Sequence, residues 1–181
     1  MQKELRTGQV LLRPYRPRDA VALHASALGS VDEVHRWLPW CHADYSMKEA
    51  EQWVLSRDAA WEQGLEYCFA IIDLNTDQFA GGCALNQIDW FRMRANLGYW
   101  VRTSCTGQGL ATAATRLLAK FGFEDLKLQR IEIVAALDNL ASQRVAEKAG
   151  AVREGIARAR LRVHDQPYDA VCFSLIANDL K

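Results

Sequence analysis

The sequence lacks several features that would assign it to a large class of proteins. It has no run of roughly 18 apolar residues, so we expect no membrane-spanning helix. Its beginning, Met1 to Arg6, has no apolar segment of the kind found in secretion signals, which favours a cytosolic protein. The 22 basic side chains (Lys and Arg) equal the 22 acidic ones in number. No overall electrostatic field therefore favours nucleic acid or anionic lipid as a partner.

Metal-binding and redox motifs are also missing. The five cysteines are scattered, and no two of them form a Cys-x-x-Cys pair. The four histidines supply no His-x-x-x-His pair. Cys41 and His42 are adjacent, but neighbours on a short loop usually have unrelated roles. We therefore predict that the protein has no metal site and that its thiols are reduced and mostly buried.

The length and the apolar pattern predict one domain of mixed α/β or α+β class. A chain of 181 residues is long enough for one normal core, so residues 1–181 are assigned to a single domain. The predicted strands are 10–13, 67–72, 79–88, 97–101, 131–135 and 170–176. The predicted helices begin at Asp19, cover 31–38, follow a Ser46–Glu49 capping box as far as Gly64, and cover 109–125 and 140–149.

A final hairpin is predicted to turn at 165–167. Its first strand alternates, with Ala157, Ala159, Leu161 and Val163 on one face and Arg158, Arg160 and Arg162 on the other. The simpler interpretation is that the arginines form a solvated row, which discourages another strand from pairing with this edge of the sheet. The alternative is a rim that attracts an acidic protein terminus.

The segment from Thr106 to Thr112 carries the clearest chemical signal. Gly107 and Gly109 let the backbone approach a ligand without interference from a Cβ atom. The helix that starts there offers unpaired N–H groups and the positive end of its dipole, which favour a phosphate or pyrophosphate. A dinucleotide motif needs a small residue in place of Thr112, and no Gly-Lys-Ser or Gly-Lys-Thr occurs. From the glycines alone, a simple turn is an equal alternative.

Three motifs in order resemble the GNAT acetyltransferases, specifically the RimJ/RimL branch that acetylates the N-terminal amine of ribosomal proteins. They are the Gly-Tyr-Trp strand at 97–101, the glycine turn at 106–111, and the stretch 138–155 that begins Asp-Asn-Leu-Ala-Ser. The resemblance implies a central mixed, mostly antiparallel twisted sheet flanked by helices. It also implies acetyl-CoA as cosubstrate, no metal, and direct transfer of acetyl to an amine in a ternary complex.

The resemblance also implies roles for individual residues. Ser142 is the predicted catalytic residue, giving a proton or hydrogen bond to the departing sulfur, although a helix-capping role is an alternative. Three tryptophans, Trp37, Trp40 and Trp90, are candidates either for the acceptor groove or for the core. The residues expected to bind acetyl-CoA are Trp100, Val101 and Arg102 along the pantetheine arm, Gly107, Gln108, Gly109, Leu110, Ala111 and Thr112 at the pyrophosphate, and Asn139 with Ser142 at the start of the later helix.

Two departures from the family pattern leave the general base unassigned. Ala95–Asn96 stands where relatives often carry a Glu, and Leu161 stands where RimL-like members have a Glu proposed as base. Asp89, Glu154, His164 or an ordered water could serve instead. A protein α-amine has a pKa of about 7.7–8.0, against about 10.4 for lysine. A site without a carboxylate base is therefore easier to reconcile with an α-amine acceptor.

These observations predict a cytosolic acetyl-CoA-dependent N-acetyltransferase that acts on a protein N-terminal amine. It is expected to work as a monomer or homodimer, without nucleic acid or membrane as a direct partner. Three alternatives remain open: an acetyltransferase for small amines, a non-catalytic acyl-CoA-binding module, and a nucleotide-binding oxidoreductase.

Overall fold

One eight-stranded sheet runs through the structure, a computed structural model that describes residues 3–180. The strand order is β1-β2-β3-β4-β5-β6-β8-β7, and β5–β6 is the parallel pair among antiparallel ones. The predicted mixed, mostly antiparallel sheet is therefore confirmed. The strands are β1 (Leu5–Arg6), β2 (Val10–Pro14), β3 (Tyr67–Asp73), β4 (Gln78–Asp89), β5 (Arg94–Val101), β6 (Arg130–Ala136), β7 (Val152–Val163) and β8 (Gln166–Leu175).

Within residues 3–180, six α-helices cover the two faces of this sheet. On one face, Leu97 and Ile131 pack under α5, and α6 joins the same apolar cluster; we call it the α5 face. On the other, Ile72 and Phe79 pack under α1 and α3; we call it the α1 face. Within residues 3–180, no helix is long and apolar enough to cross a membrane. The helices are α1 (Asp19–Leu28), α2 (Val31–Val34), α3 (Met47–Leu55), α4 (Arg57–Glu62), α5 (Leu110–Glu124) and α6 (Leu140–Ala149).

Two predicted helices differ from those observed. The helix predicted for 31–38 ends at Val34, and the chain continues in turns. The capping box is present, since Ser46 Oγ accepts from the Glu49 amide and the Glu49 carboxylate accepts from the Ser46 amide. The helix that follows it divides into α3 and α4 at Ser56, whose hydroxyl donates to the Trp53 carbonyl at 2.7 Å. Such a bond from a serine hydroxyl to the preceding turn competes with the helical pattern.

The last turn lies one residue earlier than predicted. His164 and Asp165 connect β7 to β8, with φ of 48° and 60°. Two successive positive φ values are typical of a type I′ hairpin turn. The prediction of a turn at 165–167 is therefore wrong, and Pro167 lies within β8 opposite Arg162.

The predicted clean alternation along β7 is also wrong. Ala157 and Leu161 pair with residues only two apart on β8, so the residues between them form a bulge opposite Asp169. Ala159 is exposed there at φ 49°, and its amide donates to Asp169 Oδ1 at 2.8 Å. A bulge changes the face to which side chains point, so the arginines do not form one row. Arg160 reaches towards Glu132 on β6, with the charged atoms 3.8 Å apart, and Arg162 pairs with Asp165 at 2.9 Å.

Charged side chains cover part of the α1 face of β6, β7 and β8. Glu132 and Ser174 are register partners there, and Arg130 Nε lies 3.0 Å from Glu132. Glu154 accepts two hydrogen bonds from Arg130, at 2.8 and 2.5 Å, and one from Ser174 at 2.8 Å. These bonds, chiefly those from Arg130, lower the pKa of Glu154 to about 2.

Two glycines of β4 let the carboxyl end of β5 lie close against β4. Gly82 pairs with Trp100 and Gly81 pairs with Val101. A Cβ atom at Gly81 would overlap the Trp100 carbonyl oxygen and lie 2.8 Å from Val101 Cα. A Cβ atom at Gly82 would overlap the Tyr15 hydroxyl. The position of β5 at this end of the sheet therefore depends on the absence of side chains on β4.

Replacing Gly81 by Ala is expected to lower the free energy of unfolding by roughly 2–4 kcal/mol, because the methyl group meets backbone atoms and φ is positive. Urea unfolding followed by tryptophan fluorescence measures the change. Gly8→Ala is the matched control, since nothing lies within 4 Å of its added Cβ, and we expect a change within about 0.5 kcal/mol. Equal losses in both variants would contradict this explanation.

Acid is expected to weaken the fold through Glu154. Its pKa is about 2 in the folded protein against an ordinary 4.5, so the unfolded chain binds the proton more readily. The stabilising effect is present above pH 4.5 and is lost as the pH falls towards 2. Unfolding free energies measured by urea across this window should decrease less steeply for Glu154→Gln. The exposed Glu147→Gln variant is the control, and a slope equal to wild type in both variants would refute the assignment.

Candidate active site

The two parallel strands separate after only a few residues. Their register pairing ends at Asn96 and Glu132, and β5 then continues through residues 97–101 with no strand partner on its β6 side within the described chain. Its other side stays paired with β4 along this length. A free strand edge in the middle of a sheet can bind an extended, amide-bearing ligand by strand addition.

The direction of the hydrogen bonds decides which amides face this gap. The Arg102 amide donates to the Ala80 carbonyl on the β4 side at 2.9 Å. Because successive amides along a strand point to opposite sides, Trp100 also turns its N–H towards β4. Tyr99 and Val101 turn theirs into the gap. Of the three residues expected to pair with the pantetheine arm, Val101 therefore presents its amide, whereas Trp100 and Arg102 do not.

The glycine turn follows directly after β5 and a short 3-10 turn. Gly107 and Gly109 have φ of 75° and 79°, in the left-handed region. The Thr106 amide bonds the Thr103 carbonyl before the turn, and the Ala113 amide bonds the Gly109 carbonyl after it. The six amides between them, residues 107–112, have no acceptor in the described chain.

These six donors fit a diphosphate. They lie at the start of α5, a helix of 15 residues, where the dipole also favours negative charge. Leu110 and Ala111 bury their side chains behind the turn, whereas Gln108 is exposed and its side chain bonds the Ser104 carbonyl. Nothing lies within 4 Å of a Cβ built on Gly107. The residues expected at the pyrophosphate thus form one continuous group of open amides.

Ser142 lies across the gap from β5. Asn139 is the N-cap of α6, and its Oδ1 accepts from the Ser142 amide at 3.1 Å. Asn139 therefore caps the helix, which was the alternative role for the Ser142 hydroxyl. Ser142 Oγ instead lies 3.1 Å from the Tyr99 hydroxyl. Burial raises the pKa of Tyr99 to about 12, so its phenol stays protonated at neutral pH.

The structure separates the three candidate tryptophans. Trp40 packs edge-on against Trp100, with ring centroids 5.2 Å apart. Trp37, three residues before Trp40 in the chain, is half-buried, and the Arg36 guanidinium lies 4.5 Å from its ring. Trp90 lies in the β4–β5 hairpin, about 25 Å along β4 from the Gly82–Trp100 pair at 3.3 Å per residue. Its indole donates to the Gly64 carbonyl, so the fold does not bring it to the gap.

Two contacts that the sequence did not indicate tie the chain after α2 across this region. His164 Nε2 lies 2.9 Å from the His35 carbonyl, and the two imidazole rings are 4.5 Å apart. Arg36 pairs with Asp138 at 2.6 Å. The first contact reaches the β7–β8 turn and the second reaches the loop between β6 and α6. No short-range pattern could have identified them, because each joins residues more than a hundred positions apart.

The candidate bases are all engaged in other contacts. Glu154, with its pKa near 2, is a weak base. The pKa of Asp89 is lowered by hydrogen bonds from the Arg92 amide and guanidinium, and Asp89 lies at the far hairpin beside Trp90. At Ala95–Asn96, where the family resemblance leads us to expect a Glu, the Asn96 side chain donates to Asn86 Oδ1 at 2.9 Å. No general base is assigned.

The adjacent Cys41 and His42 have separate surroundings. The Cys41 thiol is fully buried and donates to the Ala27 carbonyl at 3.3 Å. His42 lies 3.3 Å from the Glu49 carboxylate. Among residues 3–180, no group of three or more His, Cys, Asp or Glu side chains could hold a metal ion.

Comparison with known proteins agrees with this geometry. The acetyltransferase (GNAT) domain family matches residues 9–152. YdaF of Bacillus subtilis, named provisionally as a ribosomal N-acetyltransferase, is 29% identical over 173 residues, covering 94% of this chain and 92% of that protein. The ribosomal-protein-serine acetyltransferase of Escherichia coli K12 is 26% identical over 164 residues, 84% and 90% of the two chains.

A solved structure extends the likeness to three dimensions. Mycobacterium smegmatis RimJ, in complex with CoA-disulfide, superposes with a TM-score of 0.87 at 26% identity, covering 99% of this chain and 88% of that one. The family match spans most of the sequence and includes the glycine turn and the start of α6. The chain therefore belongs to the GNAT acetyltransferase family and is an acetyl-CoA-dependent N-acetyltransferase.

Proposed function

We propose that this acetyltransferase acts on the N-terminal α-amine of a protein, with a ribosomal protein as the acceptor class, by direct attack in a ternary complex in the cytoplasm. The whole chain, residues 1–181, acts as one N-acetyltransferase domain. The observation that carries the proposal is the continuity of the free β5 edge with the open amides of the glycine turn. The names of YdaF and of the Escherichia coli relative support the choice of acceptor.

The cosubstrate is held by backbone groups. The Tyr99 and Val101 amides face the gap and suit the amide-bearing pantetheine arm, and the amides of residues 107–112 suit the diphosphate. Asn139 fixes the first turn of α6. Ser142 Oγ, at the free edge, donates to the departing sulfur. Bringing the amine and the carbonyl into attack geometry supplies roughly 7–11 kcal/mol of the barrier.

The acceptor site favours an amine that is already neutral. The two places where the family resemblance leads us to expect a Glu hold no carboxylate: Ala95–Asn96, where the Asn96 amide bonds Asn86, and Leu161. The pKa of a lysine amine, near 10.4, lies about three units above neutral pH, a penalty of roughly 4 kcal/mol, whereas that of an α-amine lies within about one unit. Trp40 and Trp100, packed against each other, would border the acceptor on the α1 face.

Replacing Gly107 by Ala is expected to weaken CoA binding about 5- to 30-fold, because the free turn of the variant leaves the left-handed φ of 75° and CoA binding has to restore it at about 1–2 kcal/mol. Titration calorimetry with CoA measures the affinity. Gly8→Ala, outside the turn, is expected to bind like wild type. Loss of affinity in both variants, or in neither, would contradict the placement of the diphosphate.

A peptide with a free N-terminal Ser and an internal Lys is expected to gain one acetyl group on its α-amine. Tandem mass spectrometry locates the modification, and the N-formylated form of the same peptide is expected to stay unmodified. The rate should rise with pH through about 8 as the α-amine loses its proton. Acetylation of the lysine, or of small amines alone, would overturn the acceptor assignment. CoA binding without any transfer would indicate a binding module.

A further inference from the structure

Tyr99 and Ser142 form a contact that spans the gap between β5 and α6. Tyr99 packs against the apolar cluster of the α5 face, and its hydroxyl reaches the first turn of α6. Tyr99 Oη donates to the Ser142 carbonyl at 2.8 Å and lies 3.1 Å from Ser142 Oγ. Both hydroxyls therefore stand beside the free edge on which the thioester would lie.

Tyr99 and Ser142 each carry one hydroxyl proton, and the contacts within the pair leave one of the two available for a ligand. The Tyr99 proton can be given to the Ser142 carbonyl or to Oγ, and either hydroxyl can be the donor in the 3.1 Å contact. The Ser142 carbonyl does not require it, because within α6 that oxygen also accepts from the amide of Ala146, four residues on. Tyr99 can thus turn its proton to Oγ without leaving a buried acceptor unsatisfied. The Ser142 proton is then free to point at a ligand.

We propose that Tyr99 is a positioning residue for acetyl transfer: its hydroxyl donates to Ser142 Oγ and so aims the Ser142 O–H at the departing sulfur. This inference rests on the role that the proposed function gives to Ser142. In the transfer, the amine nitrogen bonds to the acetyl carbonyl carbon, and the C–S bond breaks with its electron pair on sulfur. The amine gives its proton to solvent. The thiolate, hydrogen-bonded by Ser142 as it forms, takes a proton from solvent on release.

Tyr99 is suited to this task because it remains a donor. Burial raises its pKa, and the bond with Ser142 offsets the rise only in part, so the phenol is protonated throughout the neutral range. A donor that bonds Oγ polarises the serine hydroxyl and strengthens the next hydrogen bond in the chain. The effect is largest when negative charge develops on sulfur, since charge-assisted bonds are roughly twice as strong as neutral ones.

The position of α6 does not depend on the Tyr99 hydroxyl. Asn139 caps its first turn. Gln143 Nε2 donates to the Ala136 and Leu137 carbonyls at 3.1 and 2.9 Å. Arg116 Nη2 bonds the Lys148 carbonyl at the far end at 2.6 Å. Removing one phenolic oxygen is therefore expected to leave the helix in place, which allows the Tyr99 hydroxyl to be tested separately from the fold.

The test is a double-mutant cycle on the single-turnover rate of acetyl transfer to the peptide with a free N-terminal Ser. Ser142→Ala is expected to slow transfer about 10- to 100-fold, the effect of one charge-assisted hydrogen bond, and Tyr99→Phe about 3- to 10-fold. In the Ser142→Ala background, Tyr99→Phe should change the rate less than about 2-fold, because its effect acts through Oγ. Ser142→Thr, which keeps the hydroxyl, should restore the dependence on Tyr99. Calorimetric affinity for CoA should stay within about 2-fold for Tyr99→Phe, because the phenolic hydroxyl contacts Ser142.

The outcomes separate this inference from the proposed function. Tyr67 is a half-buried tyrosine of β3 that packs on Trp61, so Tyr67→Phe is the matched control and should transfer at the wild-type rate. A Tyr99→Phe effect that persists undiminished without Oγ, or no effect while Ser142→Ala is slow, overturns the inference alone. A normal rate for Ser142→Ala removes Ser142 from the mechanism and the inference with it. Failure of wild-type protein to acetylate the peptide contradicts the proposed function directly.

Discussion

The separation of β5 from β6 is the constraint on which the rest of the structure depends. A strand in the middle of a sheet normally satisfies its backbone groups on both sides, and leaving them without partners costs free energy. Here the pairing stops at Asn96 and Glu132, and residues 97–101 stay open on one side. The surrounding elements fix this opening. Gly81 and Gly82 hold β5 to β4, α5 starts from the turn beyond β5, and α6 faces the gap through Ser142.

The chemistry offered at this opening is almost entirely neutral. The backbone amides of residues 107–112 are open donors, a protonated tyrosine and a serine stand beside the free edge, and the nearby Asn96 side chain bonds Asn86. The carboxylates of Glu132 and Glu154 are held by arginines. Such a site can stabilise a departing thiolate by hydrogen bonding. With no carboxylate assigned as base, the site suits an acceptor amine of low pKa.

The two sides of the opening have different tasks. On the α5 face, the glycine turn, Tyr99 and α6 suit the cosubstrate. On the α1 face, Trp40 packs on Trp100, and the segment after α2 is tied to the β7–β8 turn through His35 and His164. Contacts between distant segments therefore define the side proposed for the acceptor, whereas short local motifs define the side proposed for the cosubstrate. This difference explains why family motifs identify the cosubstrate more readily than the acceptor.

The sequence by itself determined the features that arise from neighbouring residues. The glycine turn, the start of α5, the capping box at Ser46 and the mixed, mostly antiparallel sheet follow from local patterns and family motifs, and the structure contains them. Only the tertiary structure decided that Val101 rather than Trp100 turns its amide to the gap, that Trp90 lies at the opposite end of the sheet, and that Asn139 leaves the Ser142 hydroxyl free for Tyr99. Strand register, bulges and the points where strands part are set by packing between residues far apart in the chain, and no short stretch of sequence encodes them.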